Sequence, residues 1–195
     1  MIKQNTYCQN LIKVVIDSSE AATWKLAVLE WNIVDCEEDE ELESSCVCGK
    51  ENLRYLFTIE NNINGNALFP IGSSCIRKFD RGDLNEVATI REHLFKLLRA
   101  IESGGHILLS PKYFSRKLIA YLYDNGVFRA NCYNDFNPHN DYCFLLDMFN
   151  KRDKASVSQS QNRKIDAIIL NSIKPFLRNM LLSKIKKKNY ENHLS

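Results

Sequence analysis

Apolar residues recur at helical spacing through much of the second half of the chain. Four stripes place apolar side chains three or four positions apart, which is the spacing of one helix face. The stripes are Ile90, Leu94, Leu97, Leu98 and Ile101; Phe114, Leu118 and Leu122; Tyr142, Leu145, Leu146 and Phe149; and Ile165, Ile168, Ile169 and Ile173. They predict helices over about 84–101, from Ser110-Pro111 to Leu122, over about 141–150, and from the Ile165 stripe to Ile185, with an end or a kink at Pro175.

The N-terminal segment mixes β-like and helical patterns. Residues 11–16, LIKVVI, are rich in β-branched side chains and predict a short strand. Ser18 or Ser19 can cap a helix through EAATWKLAVLEW. Its apolar stripe is Trp24, Ala27, Val28 and Trp31. This stripe predicts that both tryptophans belong to the core. A further strand is expected at Asn32–Val34.

Residues 53–71 carry the pattern of a β-hairpin. LRYLFTIE is rich in aromatic and β-branched residues, NNINGN contains the turn dipeptide Asn64-Gly65, and ALFPI returns. Ser73 or Ser74 can then cap a short helix through SSCIRKF. That helix would place Cys75 in the positive field of its N-terminus, which favours a thiolate.

Four of the seven cysteines have the spacing of a metal site. They are Cys36, Cys46, Cys48 and Cys75, in the pattern C-x9-C-x-C-x26-C. The sulfurs of a CxC pair lie close enough to bind one ion, and Gly49 permits the tight turn after them. Four thiolates around Zn²⁺ leave no open position, so we expect a structural zinc that stabilises a hairpin too small to fold alone.

The fourth ligand of this zinc site is the least determined. Cys36 is the preferred residue because it follows the expected strand Asn32–Val34 and precedes the CxC pair. Cys8, Cys132, Cys143 or a histidine are the alternatives. An iron–sulfur cluster also takes four cysteines.

The chain as a whole is predicted to be α+β, with a zinc-stapled β-hairpin module packed with a mainly α-helical C-terminal half. Residues 1–104 and 105–195 are expected to form one compact body.

Charge is unevenly distributed along the chain. The 195 residues carry a net charge of +2, but residues 1–100 carry −5 and residues 101–195 carry +7. Glu37–Glu43 form an acidic run, which is typical of a solvated loop. The basic groups of the C-terminal half include Arg163, Lys164, Lys174, Arg178 and the tail lysines Lys184, Lys186, Lys187 and Lys188. The N-terminal half is expected to repel nucleic acid and the C-terminal half to attract it, so the net charge of the chain does not indicate which kind of partner it binds.

Location and activity are also predicted from the sequence. No apolar run approaches the roughly eighteen residues of a membrane span, and the start, MIKQNTYCQNLIKVV, lacks the features of a secretory signal. We therefore expect a cytoplasmic monomer. His93, His106, His139 and His193 are scattered, and no HExxH, GxSxG, Walker A or GxGxxG motif occurs. Cys132 and Cys143 near His139 are a weak nucleophile signal, and we predict no enzymatic activity.

The cysteine segment resembles a module found in small proteins of phages and mobile elements of Gram-positive bacteria. The residues that carry the resemblance are Cys36, Cys46-x-Cys48-Gly49, Ile59-x-Asn61, Asn64-Gly65 and Ile71-Gly72-Ser73-x-Cys75-Ile76-x-x-Phe79. It covers about a quarter of the chain and implies zinc at the four cysteines.

The whole chain looks like a phage-borne anti-CRISPR protein acting on the RNA-guided type II effector nuclease in the host bacterial cytoplasm. This resemblance implies an inhibitor that binds the nuclease and blocks loading or cleavage of target DNA. The alternative is a nucleic-acid-binding zinc protein of a phage or mobile element, which would contact phosphates through the basic C-terminal helix.

Overall fold

The computed structural model describes residues 2–104 and 107–180, with side chains from Thr6 onward. The described residues divide into two compact units, with the boundary between Glu92 and His93 inside a long helix. The sequence placed the division after that helix, at residue 104. Each unit has its own buried apolar residues. No helix in the described part of the chain is long and apolar enough to cross a membrane.

The N-terminal unit is built on a three-stranded antiparallel sheet in the order β1-β2-β3. Its elements are helix α1 (Ile2–Asp17), helix α2 (Trp24–Ala27), strands β1 (Trp31–Glu38), β2 (Tyr55–Asn61) and β3 (Ala67–Ile71), helix α3 (Ser73–Ile76) and the start of helix α4 (Gly82–Glu102). Phe57 at the centre of β2 pairs with Cys36 on one side and with Ile71 on the other. The predicted hairpin and the α+β class are confirmed.

The predicted strand at residues 11–16 is wrong, because this segment belongs to α1. Leu11 and Val15, four residues apart, are both completely buried, as helical spacing requires. The β preference of a valine- and isoleucine-rich run reflects how such side chains pack on a pleated surface. Here tertiary burial of one helix face overrides that preference.

The predicted helix from Ser18 or Ser19 to Trp31 is also wrong in extent. Helix α2 covers four residues, a 3₁₀ turn follows, and Trp31 already begins β1. Ser19 is not a helix cap, since its hydroxyl donates to the Val15 carbonyl and accepts from the Trp31 indole N–H. Trp31 is completely buried, as predicted, whereas Trp24 is half-buried and packs edge-on against Phe79 with ring centroids 5.3 Å apart.

Helix α3 begins without the serine cap that the sequence suggested. Its N-cap residue is Gly72, and Ser73 and Ser74 are already inside the helix. A β-carbon on Gly72 would lie 2.9 Å from a methyl carbon of Leu53. Gly72 therefore allows a close approach that a capping serine would not.

The C-terminal unit is helical. Beyond α4 it contains α5 (Arg116–Asp124), α6 (Pro138–Asn150) and α7 (Gln159–Ile168), with a short 3₁₀ turn at Cys132–Asn134. The predicted apolar stripes supply its buried residues, including Leu94, Leu97, Phe114, Leu118, Leu122, Leu145, Ile165, Ile169 and Ile173. Ser110-Pro111 does not open a helix. Helix α5 begins after Ser115, whose side chain accepts the Leu118 N–H and caps it.

Pro175 does not end the last helix. A π-helical turn (Ile169–Ile173) precedes it, and residues 174–180 are helical. A proline removes one backbone donor from a helix, and a widened turn is one way to accommodate that loss. The tail lysines Lys184, Lys186, Lys187 and Lys188, together with His106 and His193, lie outside the described residues.

Candidate metal centre and aromatic loop

Three of the predicted ligands, Cys46, Cys48 and Cys75, come together in a buried cluster. Their sulfur atoms all lie within 4.8 Å of one another, and no more than 4% of any of the three residues is exposed. Cys75 Sγ lies 3.6 Å from Cys46 Sγ and 3.5 Å from Cys48 Sγ. Tetrahedral zinc with Zn–S bonds of about 2.3 Å separates its sulfurs by about 3.8 Å. The cluster therefore fits three corners of a metal-binding tetrahedron.

Backbone hydrogen bonds set the conformation of the CxC turn. The Cys46 N–H donates to the Lys50 carbonyl, the Gly49 N–H donates to the Cys46 carbonyl, and the Val47 N–H donates to the Pro70 carbonyl of β3. Gly49 has a φ of +87°, a left-handed conformation that favours glycine. The turn is thus tied to the hairpin, which brings it opposite Cys75 on α3.

Backbone amides also point at the sulfur atoms. The Gly72 N–H lies 3.4 Å from Cys46 Sγ, and the amides of Cys48 and Lys50 donate to the sulfurs of Cys46 and Cys48, respectively. Donors aimed at sulfur stabilise the thiolate form, which is the form that binds metal. The sequence indicated Gly49 for its turn, but nothing in it pointed to Gly72 as a donor to a ligand.

The three thiols share negative charge unequally. Hydrogen bonding from Cys75, assisted by backbone N–H groups, lowers the pKa of Cys46 to about 5. Hydrogen bonding to Cys46 and burial raise the pKa of Cys75, and burial raises that of Cys48. The expectation that a helix N-terminus would favour a Cys75 thiolate stays a prediction, since hydrogen bonding within the cluster raises the pKa of Cys75 while it lowers that of Cys46. A bound cation would displace the remaining protons.

Cys36 does not belong to the three-sulfur group. It is completely buried in β1, paired with Phe57, and its sulfur lies 3.7 Å from the Glu37 carbonyl. Cys8 is half-buried in α1, and Asn10 of the same helix donates to the Cys48 carbonyl. Cys132 and Cys143 belong to the C-terminal unit. Cys36 as the fourth ligand stays a prediction.

The acidic run between Cys36 and the CxC turn is an organised loop. The Asp39 carboxylate accepts the backbone N–H groups of Glu41, Leu42, Glu43 and Ser44, and the Ser44 hydroxyl as well. These bonds lower the pKa of Asp39, the Ser44 hydroxyl contributing most. Glu37 and Glu38 already belong to β1. The carboxylates of Glu40, Glu41 and Glu43 project from exposed positions.

The C-terminal unit exposes two large aromatic side chains on one loop. Tyr133 is 85% exposed and Phe136 is 72% exposed. Tyr133 lies in the 3₁₀ turn at Cys132–Asn134, and Phe136 follows that turn just before α6. Asp135 and Phe136 have left-handed φ values of 54° and 57°, a conformation that costs a non-glycine residue about 1 kcal/mol. The loop thus holds Phe136 outward at some cost.

Asparagine side chains hold this aromatic loop, residues 129–137, in place. Asn131 and Asn134 form a capping box, and the Phe136 N–H donates to the Asn131 carbonyl. Asn134 is 1% exposed and donates to the buried Asp141 carboxylate at 2.7 Å. The Lys164 ammonium lies 3.3 Å from that carboxylate and donates to the Tyr133 carbonyl. The Asn131-x-x-Asn134 spacing was the signal in the sequence for this capped turn.

Two of the predicted phosphate-contacting residues are engaged within the protein. Lys164 binds Asp141 and the Tyr133 carbonyl, and it also lies over the Phe144 ring. Arg178 lies 3.9 Å from Glu102. Arg163 is exposed and Lys174 is half-buried. The described part of the basic helix therefore offers fewer free cations than its sequence suggested.

Comparison with known proteins found no relative of this chain. No protein-family model matches the chain, and neither a curated protein nor a solved structure matches it significantly.

Proposed function

We propose that the cysteine cluster binds one structural Zn²⁺, with Cys46, Cys48, Cys75 and Cys36 as ligands. Sulfur separations of 3.5 and 3.6 Å, burial, and backbone donors aimed at sulfur support a metal–thiolate site. Four thiolates select zinc over calcium or magnesium, which prefer oxygen. The ion would tie the turn after the acidic loop to α3 and so stabilise the hairpin between them.

We further propose that the protein acts by binding another protein, and that its target is the RNA-guided type II CRISPR nuclease. The single observation that carries a binding function is the aromatic loop. Tyr133 and Phe136 are highly exposed, yet a hydrogen-bonded framework holds the backbone that presents them. Rigid aromatic side chains lose little conformational entropy on binding and are enriched among the residues that dominate protein interfaces.

The charge around the aromatic loop favours a protein partner over nucleic acid. Arg129 and Lys164 are balanced by Asp135 and Asp141. A surface that binds phosphates needs a clear excess of positive charge. The choice of nuclease rests on the resemblance of the chain to anti-CRISPR proteins. The exposed carboxylates of the acidic loop support it, because they are complementary to a basic nucleic-acid channel.

The second candidate function is nucleic-acid binding. The observation in its favour is the same pair of exposed aromatic rings, since aromatic side chains can stack on unpaired bases. Exposed Arg129 and Arg163 provide positive charge in the C-terminal unit. This function predicts direct binding to single-stranded DNA or RNA that weakens steeply with added salt.

A cleavage assay with purified guide-loaded type II nuclease tests the main proposal. We expect stoichiometric wild-type protein to suppress target capture or cleavage. The double variant Tyr133→Ala/Phe136→Ala should lose this effect. The matched control is Leu108→Ala/Leu170→Ala, which removes two other exposed apolar side chains of the same unit and should retain it. Normal target cleavage with excess wild-type protein would contradict the proposal, and salt-sensitive binding to labelled nucleic acid alone would favour the second candidate.

A further inference from the structure

A thiol and an imidazole lie side by side on α6, outside the metal centre. Cys143 Sγ is 3.2 Å from His139 Nε2, the two residues being one helical turn apart. The His139 ring lies edge-on to Tyr123 with centroids 5.5 Å apart and packs beside Tyr142 at 5.6 Å. Tyr123 and Tyr142 stack on each other at 4.8 Å. Two aromatic neighbours therefore position the imidazole next to the sulfur.

This pair distinguishes Cys143 from the four buried cysteines and from Cys132. Cys36, Cys46, Cys48 and Cys75 are buried in the N-terminal unit. Cys132 is exposed and lies eleven positions earlier in the same unit. Within residues 2–104 and 107–180, no basic nitrogen contacts Cys132 as His139 contacts Cys143. Cys143 is only half-buried. Exposure alone would make Cys132 the faster thiol, whereas an adjacent base would make Cys143 faster.

We propose that Cys143 and His139 form a nucleophilic thiol site that is modified by small soft electrophiles and low-molecular-weight disulfides. In the tautomer with hydrogen on Nδ1, His139 Nε2 accepts the Cys143 proton as the sulfur attacks. With iodoacetamide, a C–S bond forms while the C–I bond breaks, iodide leaves, and the proton passes from His139 to water. With a disulfide, a bond forms between Cys143 Sγ and one sulfur while the S–S bond breaks. The second sulfur leaves as a thiolate and takes the proton from His139, which leaves a mixed disulfide on Cys143 and one free small thiol.

Residue-resolved alkylation of the 195-residue protein tests this site. Iodoacetamide at pH 7 is the electrophile, and peptide mass spectrometry gives separate rates for Cys143 and Cys132. We expect Cys143 to react about tenfold faster than Cys132. This rate ratio is smaller than the factor of about 10² to 10⁴ that a positioned general base typically contributes in an enzyme. With 2-hydroxyethyl disulfide, a neutral disulfide, the mixed disulfide should likewise accumulate first at Cys143.

Two variants separate the role of the base from general perturbation. His139→Gln should reduce the Cys143 rate to about that of Cys132, while Asp147→Asn, an exposed change one turn on the other side of Cys143, should leave it fast. The thermal midpoint of each variant checks folding. A Cys143 rate equal to or below that of Cys132 in the wild type would overturn the proposal, and this comparison requires no variant. A fast Cys143 that His139→Gln does not slow would overturn it equally.

Discussion

The Asn61 side chain donates a 2.6 Å hydrogen bond to the carboxylate of Glu30, and both residues are buried. The same carboxylate accepts the backbone N–H groups of Glu20 and Ala21. The Asn61 side-chain oxygen accepts the N–H groups of Ile63 and Asn64 in the hairpin turn. One asparagine therefore shapes the turn between β2 and β3 and ties it to the chain that enters β1.

Replacing Asn61 should destabilise the N-terminal unit. Asn61→Ala leaves a buried carboxylate without one donor and the turn without its acceptor, and losses of this kind cost about 2 kcal/mol. We expect the thermal unfolding midpoint to fall by about 5 °C. Asn62→Ala, a change at the neighbouring exposed position, is the control and should stay near the wild-type midpoint. An unchanged midpoint for Asn61→Ala would show that water replaces these bonds.

Zinc content should follow the three clustered cysteines. Purified protein is expected to contain one zinc per chain, and Cys46→Ser, Cys48→Ser and Cys75→Ser should each lose most of it. Cys132→Ser, which changes an exposed cysteine of the other unit, should keep full occupancy. A chelator should lower the thermal midpoint by at least about 10 °C, because metal binding contributes folding free energy. Full zinc in Cys48→Ser would contradict the ligand assignment.

The fourth ligand can be identified by cobalt substitution. Replacing zinc with Co²⁺ gives a sulfur-to-cobalt charge-transfer absorption that grows with the number of bound thiolates. We expect this band to weaken in Cys36→Ser and to stay unchanged in Cys8→Ser, because the proposed site takes Cys36 as its fourth thiolate. The reverse result would make Cys8 the ligand and remove Cys36 from the site.

Asp39 should make stability depend on acid pH. Hydrogen bonds in the folded loop lower its pKa below the usual 3.8, so folding favours the ionised form. Its contribution is complete above that value and disappears as the pH falls through the lowered pKa. Asp39→Asn should therefore lower the thermal midpoint at pH 7, and the difference from wild type should shrink towards pH 2.

The control for this measurement is Glu40→Gln, an exposed carboxylate in the same loop. It should change the midpoint little at either pH, since surface charge changes of this kind contribute weakly. A pH-independent difference between Asp39→Asn and wild type would show that the bonds do not depend on the carboxylate charge.

The sequence identified the three clustered cysteines well, but it described the surroundings of the cluster less accurately. Cys46, Cys48 and Cys75 were predictable because a CxC pair with its glycine, a hairpin dipeptide and a following cysteine are local signals. The acidic run was expected to be a solvated loop. Its anchoring residue, Asp39, is the only aspartate in the run, and the tendency of a short aspartate side chain to accept backbone N–H groups two residues on was the available signal. Only the folded turn decided that four consecutive N–H groups converge on it.

The sequence by itself determined the α+β class, the hairpin, the helical stripes of the C-terminal unit and three clustered cysteines, because each depends on residues close together in the chain. Tertiary structure decided the rest. It made residues 11–16 helical by burying Leu11 and Val15, and it paired Glu30 with Asn61 across thirty-one positions. It also left Tyr133 and Phe136 outside the core. Burial and long-range pairing depend on residues that become neighbours only when the chain folds, and local sequence patterns do not encode those contacts.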